Sequence, residues 1–160
     1  MSVEVVTATA EETEALGVAV AGLLLPGDLV ILGGDLGAGK TTFTRGLGAG
    51  LGVRGAVTSP TFVISRVHPS TTGGPALVHV DAYRLSGLDE LDDLDLDASL
   101  EDSVTVVEWG RGVAEGLADD RLEVELVRAH ADEEGEGRTV RLRGVGDRWA
   151  AVSLDALADA

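Results

Sequence analysis

One glycine-rich segment, GGDLGAGKTTFTRG from Gly33 to Gly46, constrains the fold of this chain more than any other part of the sequence. It overlaps the end of the apolar run Asp28–Gly34, which is typical of a strand buried on both faces of a sheet. We expect a helix to begin at Lys40 and to continue to about Gly50. A buried strand, a tight loop and a helix in this order predict an α/β fold with a central, mostly parallel sheet.

The rest of the chain supplies further strands and helices around this unit. Apolar and alternating patterns predict strands over Val3–Ala8, Thr61–His68, Ala76–Tyr83, Val104–Gly110, Arg121–Ala129 and Gly137–Gly144. The second and third of these should form a hairpin, and the last two should form a half-exposed antiparallel pair. A capping box at Thr9 and Glu12 opens a helix that should run to about Leu25. A second amphipathic helix is expected over residues 147–160.

Length and composition limit the functions that the chain can have. With 160 residues, no internal repeat and no low-complexity linker, it is predicted to form one domain spanning residues 1–160. The formal net charge of −16 argues against a free-standing nucleic-acid binder and against attachment to a membrane surface. Without cysteine, disulfides and thiolate metal sites are excluded. The longest apolar run, Leu16–Leu25, is too short for a membrane span and lacks a preceding basic segment, so we expect a cytoplasmic protein.

The glycine-rich segment also carries a phosphate-binding pattern. Gly34, Gly39, Lys40 and Thr41 satisfy G-x-x-x-x-G-K-[ST], the P-loop pattern. In such a loop, backbone N–H groups surround phosphate oxygens at a helix N-terminus, and the Thr hydroxyl faces Mg²⁺. Lys40 is the only lysine of the chain, which fits a position that needs a compact ammonium rather than a planar guanidinium. The pattern predicts a nucleotide-binding domain with a three-layer fold like that of P-loop nucleoside triphosphatases.

P-loop proteins also use an acidic side chain at the end of a neighbouring strand to help hold the metal ion. Two strand-like runs end in a carboxylate, ALVHVD at Asp81 and VTVVE at Glu108. The residues alone leave open whether one or both take this role. We expect His79 to pack or hydrogen-bond beside Asp81. Ras-like GTPases recognise guanine through an Asn-Lys-x-Asp segment, which would need a second lysine, so adenine is the favoured base.

Four stretches of the chain, by their order and spacing, indicate a resemblance to a known family. They are GDLGAGKTTFTRG, SPTF (Ser59–Phe62), HVDAYRL (His79–Leu85) and VEWG (Val107–Gly110). Together they resemble the TsaE family, also called YjeE, the P-loop ATPases of bacterial tRNA threonylcarbamoyladenosine synthesis. The resemblance spans nearly the whole chain.

This resemblance implies a set of site residues. Thr41 and Glu108 would hold Mg²⁺, with Asp81 close by. The catalytic group would comprise Lys40, Asp81, Glu108 and Thr61, with Thr61 in a switch-like loop facing the γ-phosphate of ATP. Contacts with ATP are implied at Ala10, Leu36, Gly37, Ala38, Gly39, Lys40, Thr41, Thr42, Arg111 and Arg138.

The expected function is that of an ATP-hydrolysing accessory protein. Similarity to the family implies that the protein binds a TsaB–TsaD-type complex and uses ATP and Mg²⁺ to reset it between rounds of adenosine modification. Contact with tRNA would be indirect, through that complex, and no membrane contact is expected. Two alternatives stay open: a small-molecule kinase, and a nucleotide-gated binding module without significant turnover.

Overall fold

The computed structural model describes residues 2–34, 39–53, 65–81, 103–108, 120–128, 137–155 and 157. Its strands are β1 (Ser2–Thr7), β2 (Leu29–Gly34), β3 (Ser65–His68), β4 (Ala76–Asp81), β5 (Ser103–Glu108), β6 (Arg121–Arg128) and β7 (Arg138–Val145). Its helices are α1 (Ala10–Ala21), α2 (Lys40–Leu51) and the short α3 (Asp147–Ala150). All of these strands join one sheet.

The sheet is mixed, with a parallel centre. The strand order is β1-β7-β6-β2-β5-β4-β3. The central strands β6, β2, β5 and β4 run parallel to one another. On one side β7 pairs antiparallel with β6 and β1 pairs antiparallel with β7, and on the other side β3 pairs antiparallel with β4. The predicted α/β class, the parallel centre, the β3–β4 hairpin and the antiparallel β6–β7 pair are therefore confirmed.

The start of α1 follows from its sequence. Thr9 is the N-cap, and its hydroxyl accepts a hydrogen bond from the Glu12 backbone N–H at 3.1 Å. The Glu12 carboxylate accepts in turn from the backbone N–H of Ala8, one residue before the position that an ideal capping box uses. Two carboxylates in the first turn, Glu11 and Glu12, also interact favourably with the positive end of the helix dipole. The predicted helix start is confirmed.

The predicted end of α1 at Leu25 is wrong, because the α-helix ends at Ala21. The N–H groups of Leu23 and Leu24 bond to the carbonyls of Val20 and Ala21, three residues back, so the chain tightens into turns there. The Leu23 carbonyl accepts a hydrogen bond from Arg148 at 2.7 Å instead of closing another helical turn. A tertiary contact thus replaces the continuation that the apolar run suggested.

The predicted helix over residues 147–160 is also wrong for most of its described part. The α-helix α3 ends at Ala150, residues 151–154 are irregular, and residues 155 and 157 lie in a short 3₁₀ turn. Trp149, Leu154 and Leu157 are all buried in the main core. Burial of these three side chains against the sheet outweighs the weaker preference of the segment for a continuous helix.

Both faces of the central strands are buried, as a three-layer fold requires. On one face, α1 and α2 pack against the sheet through Leu16, Val20, Phe43, Leu47 and their neighbours in one apolar cluster. Val30 and Leu32 of β2 join that cluster. The alternate residues Leu29 and Ile31, which point to the opposite face, are buried as well. The alternation confirms that β2 is a strand buried on both sides.

The helices α1 and α2 are in close contact because glycines lie between them. A Cβ atom at Gly46 would lie 2.0 Å from the carbonyl oxygen of Glu14, and one at Gly17 would lie 2.3 Å from that of Phe43. Neither position tolerates a side chain without moving a backbone. The start of α1 also lies near the start of α2, because a Cβ atom at Gly39 would lie 3.7 Å from Thr13 Cγ2.

None of the helices in the described part of the chain has the length and apolar character that a bilayer crossing requires.

Candidate functional site

The parallel centre of the sheet brings the ends of three strands to one edge. In register, Leu32 of β2 lies beside Glu108, the last residue of β5, and Glu108 lies beside Asp81, the last residue of β4. The P-loop leaves β2 at Gly34, at the same edge. Ligands of open α/β sheets bind outside these carboxyl ends of the strands. The sequence-predicted loop and both predicted acids are therefore adjacent.

The first turn of α2 is unusually open to an anion. Its N-cap is Gly39, in the left-handed conformation (φ 99°, ψ 16°), and no side chain of the described residues caps the helix. No acidic residue lies in the first turn, in contrast to the capped and acidic start of α1. The N–H groups of the first turn and the positive end of the helix dipole lie at this point, which favours a phosphate group.

Lys40 spans the loop with its side chain. It is the first residue of α2 and only 7% exposed. Its Nζ atom donates a hydrogen bond of 2.7 Å to the carbonyl oxygen of Gly34, at the other end of the loop. The Thr44 hydroxyl donates to the Lys40 carbonyl at 2.8 Å and supports the first turn. The ammonium is therefore directed back across the loop, where a bound phosphate would replace part of its backbone contact.

Glu108 is a buried carboxylate with a histidine as its neighbour. It is 3% exposed, and no Lys or Arg forms an ion pair with it among the residues that the structure describes. His79 Nε2 lies 3.0 Å from Glu108 Oε2. Burying a carboxylate is costly unless a cation or several donors compensate. A bound cation would supply that compensation.

Two predicted ligands of Mg²⁺ are described, Thr41 and Glu108. Thr41, half-buried in the first turn of α2, and the buried Glu108 carry oxygen donors of the hard kind that this ion prefers. Within the described ranges, no group of three or more His, Cys, Asp or Glu side chains is close enough to form a closed protein cage. An ion held by one or two protein ligands and completed by phosphate oxygens and water is the usual Mg²⁺ arrangement in nucleotide sites.

Arg138 and the start of α1 lie on the other side of the loop. A Cβ atom at Gly39 would lie 3.6 Å from Leu126 Cδ2, and 3.7 Å from both Arg138 Nε and Thr13 Cγ2. Arg138 opens β7 beside Thr7 in β1. The Thr7 and Thr13 hydroxyls share a buried 2.7 Å hydrogen bond that ties β1 to α1, three residues from Ala10. The predicted contacts Ala10 and Arg138 therefore lie near the loop.

Several predicted site residues lie outside the described part of the chain. They are Leu36, Gly37, Ala38, Thr61 and Arg111. For Asp81, the backbone position is described and the side chain is not. Their roles stay predictions. Thr42 is described as the third residue of α2, half-buried beside Thr41.

The ring of His79 lies against Glu108 on the neighbouring strand, a contact that the sequence did not predict. The predicted position of His79 beside Asp81 stays a prediction, because the Asp81 side chain lies outside the described part of the chain. Strand periodicity explains this position. Leu77 and His79 alternate with Val78 and Val80, so His79 points to the face of the sheet on which Glu108 lies. Parallel pairing of β4 with β5 was the signal that would have found the contact.

Comparisons with known proteins agree with this geometry. Residues 7–140 match the family described as "Threonylcarbamoyl adenosine biosynthesis protein TsaE". The tRNA threonylcarbamoyladenosine biosynthesis protein TsaE of Streptomyces coelicolor is 65% identical over 144 residues, covering 89% of this chain and 97% of that protein. The protein of the same name from Bacillus subtilis is 41% identical over 144 residues, covering 89% of this chain and 86% of that protein.

A solved structure extends the similarity to the fold. The crystal structure of YdiB from Bacillus subtilis superposes with a TM-score of 0.73 at 34% sequence identity, covering 99% of this chain and 93% of that chain. This chain therefore matches the family model, resembles relatives that all carry the TsaE name, and shares its fold with a solved structure. The chain belongs to the TsaE family.

Proposed function

We propose that the protein binds ATP with Mg²⁺ and hydrolyses it as an accessory protein in threonylcarbamoyladenosine modification of tRNA. The single observation that supports this most strongly is the uncapped, acid-free start of α2, with Lys40 directed back across the loop to Gly34. Such a helix end is built to receive phosphate groups.

Each residue of the site has a separate task in this proposal. Backbone N–H groups of residues 36–41 surround the β- and γ-phosphates, and Lys40 exchanges its contact with Gly34 for a phosphate oxygen. Thr41 and Glu108 hold Mg²⁺, and Asp81 lies beside Glu108 at the adjacent strand end. Bound Mg²⁺ neutralises charge on the phosphates during phosphoryl transfer. Thr61 faces the γ-phosphate from its loop.

The nucleoside part of ATP is proposed to lie on the side of the loop opposite Glu108. Arg138 at the start of β7 lies close to Gly39 on that side, as does Thr13 of α1, and Ala10 is the first residue of that helix. Arg111 is proposed as a further ATP contact. Adenine is preferred to guanine because the chain has no second lysine for the guanine-recognition segment.

The partner is proposed to be a TsaB–TsaD-type complex in the cytoplasm. The relatives from Streptomyces coelicolor and Bacillus subtilis carry names that place them in tRNA threonylcarbamoyladenosine biosynthesis. A net charge of −16 disfavours direct binding to the tRNA backbone, so contact with tRNA would pass through the partner complex. In P-loop proteins, a partner often completes the catalytic site and raises turnover by orders of magnitude.

Steady-state ATPase measurements with and without a TsaB–TsaD-type complex test the proposal. The protein alone should bind ATP and hydrolyse it slowly, and the complex should stimulate hydrolysis strongly. Fast turnover that the complex leaves unchanged would contradict the accessory role. Phosphate transfer to one of a set of small acceptors would favour the kinase alternative, and ATP binding without stimulated turnover would favour the binding module.

A further inference from the structure

His79 is a buried polar side chain with an unusual environment. It is fully buried in β4, and its Nδ1 atom has no hydrogen-bond partner among the residues that the structure describes. Its Nε2 atom lies 3.0 Å from Glu108 Oε2, within ion-pair distance, but the two groups do not meet the directional requirements of a hydrogen bond. The imidazole is thus adjacent to the proposed metal-side carboxylate and makes no hydrogen bond with the other described residues.

Such an environment does not favour histidine on grounds of stability. A buried polar group without good hydrogen bonds costs free energy, and an apolar side chain of similar size would avoid that cost. The neighbours Val78 and Val80 in β4 and Val106 opposite in β5 are all apolar and buried. A histidine at this place therefore points to a task that leucine or valine cannot perform.

We propose that His79 is a positioning residue for Glu108. Its Nε2–H holds Oε2 of the carboxylate, so that Oε1 is presented to Mg²⁺ or to a water of the ion. Carboxylates that bind metals are commonly oriented by hydrogen bonds of this kind, and losing the orienting group typically costs about 10- to 100-fold in metal affinity or activity. The inference rests on the proposed function, because it takes Glu108 as a metal-side acid.

The location of the pair suits this task. His79 and Glu108 lie on the same face of two neighbouring central strands, and each strand has a further strand on its other side. Both side chains are therefore anchored on paired backbone rather than on loops. A small reorientation of the ring would turn the 3.0 Å approach into a directed hydrogen bond when the ion draws Glu108 into place.

Three variants test the role. His79→Leu removes the donor and keeps an apolar side chain, His79→Gln restores an N–H near the position of Nε2, and His68→Leu is the matched control. His68 is also buried, but it lies opposite Leu77 at the far end of the β3–β4 pair. The first readout is the Mg²⁺ concentration needed for ATP binding, measured by calorimetry. The second is the affinity for Mn²⁺ in the ATP complex, measured by electron paramagnetic resonance.

His79→Leu should weaken Mg²⁺ and Mn²⁺ binding about 10- to 100-fold without lowering the unfolding temperature. His79→Gln should recover most of that loss, and His68→Leu should bind the ions as the wild type does. In a Glu108→Ala background, His79→Leu should have no further effect, because the residue acts through that carboxylate. A purely structural role would instead lower the unfolding temperature and persist in the Glu108→Ala background.

The possible failures are distinguishable. Wild-type ion affinity in His79→Leu, together with weakened affinity in Glu108→Ala, would overturn the role of His79 and leave the proposed function intact. An absence of Mg²⁺-dependent ATP binding in the wild type would overturn both. Should the variants not fold, ring ¹⁵N resonances of the unmodified protein decide the matter. Those of His79 should shift when Mg²⁺ is added to the ATP complex, and unchanged resonances would overturn the proposal.

Discussion

Replacing Gly46 by alanine tests whether the contact between α1 and α2 is as close as the structure describes. The added Cβ would lie 2.0 Å from the Glu14 carbonyl oxygen and 3.1 Å from the Cα of Gly17. Both obstacles are backbone atoms of α1, so no side-chain rotation relieves the overlap. The helices must move apart, which also disturbs the packing of Phe43 and Leu47 beneath them.

The size of the effect follows from two opposing contributions. Alanine in a helix interior is favoured over glycine by about 1 kcal/mol. Overpacking a well-filled core costs about 1–3 kcal/mol, and an obstructing backbone places Gly46→Ala at the upper end of that range. The net destabilisation should be about 2 kcal/mol, which lowers the unfolding temperature of a domain this size by roughly 4–8 °C.

Thermal and urea denaturation followed by circular dichroism measure this change. The matched control is Ala49→Gly at an exposed position of the same helix, which changes helix propensity alone and should cost about 1 kcal/mol. Gly46→Ala should be the more damaging variant although its propensity change is favourable. Stability equal to or above that of the wild type would refute the close packing of the two helices.

Two further predictions concern the acids and the contact that fixes α3. Glu108→Ala should raise the Mg²⁺ concentration that is required and suppress ATP hydrolysis, while leaving nucleotide binding largely intact. Asp81→Ala should have the same effects more mildly. A greater Mg²⁺ dependence for Asp81→Ala in the same calorimetric titration would make Asp81, and not Glu108, the principal metal-side acid. Arg148 donates to both carboxylate oxygens of Asp28 at 3.1 and 3.0 Å and stacks 4.5 Å above the Trp149 ring. Arg148→Met should lower the free energy of unfolding, measured by urea denaturation, by roughly 1–3 kcal/mol. Loss of a fully buried ion pair would cost more, but Arg148 is about one-fifth exposed. An unchanged free energy of unfolding would contradict the role of Arg148.

The elements that the sequence predicted well are those decided by local chemistry or by strand burial. Thr9 and Glu12 define a helix start because a capping hydroxyl must lie next to the first free N–H groups. The run Leu29–Gly34 is recognisable because a strand covered on both faces has no polar positions. The loop after it must be glycine-rich, since Gly39 adopts a positive φ.

The features that the sequence did not predict depend on contacts between distant segments. The end of α1 reflects Arg148, which bonds to Leu23 and Asp28 more than a hundred residues earlier. The short length of α3 reflects the burial of Trp149, Leu154 and Leu157 in the main core. The contact of His79 with Glu108 depends on which strands are neighbours, and strand order is not written in any local pattern. Strand order and hydrogen bonds between distant segments therefore cannot be predicted from local sequence patterns.

ATP affinity in the Lys40 variants is the most direct measurement of the central claim, that the start of α2 is a nucleotide phosphate site. Calorimetry with Mg²⁺ should compare the wild type, Lys40→Ala, Lys40→Arg and the control Arg45→Ala, which removes a positive charge from the exposed side of α2. A charged hydrogen bond contributes about 1.5–3 kcal/mol, so Lys40→Ala should weaken ATP binding roughly 10- to 100-fold. Adenosine binding should be little affected.

Lys40→Arg should not restore the affinity, because a planar guanidinium does not fit where the ammonium crosses to Gly34. Arg45→Ala should bind ATP as the wild type does. Equal ATP affinity in the wild type and Lys40→Ala would contradict the phosphate site at α2.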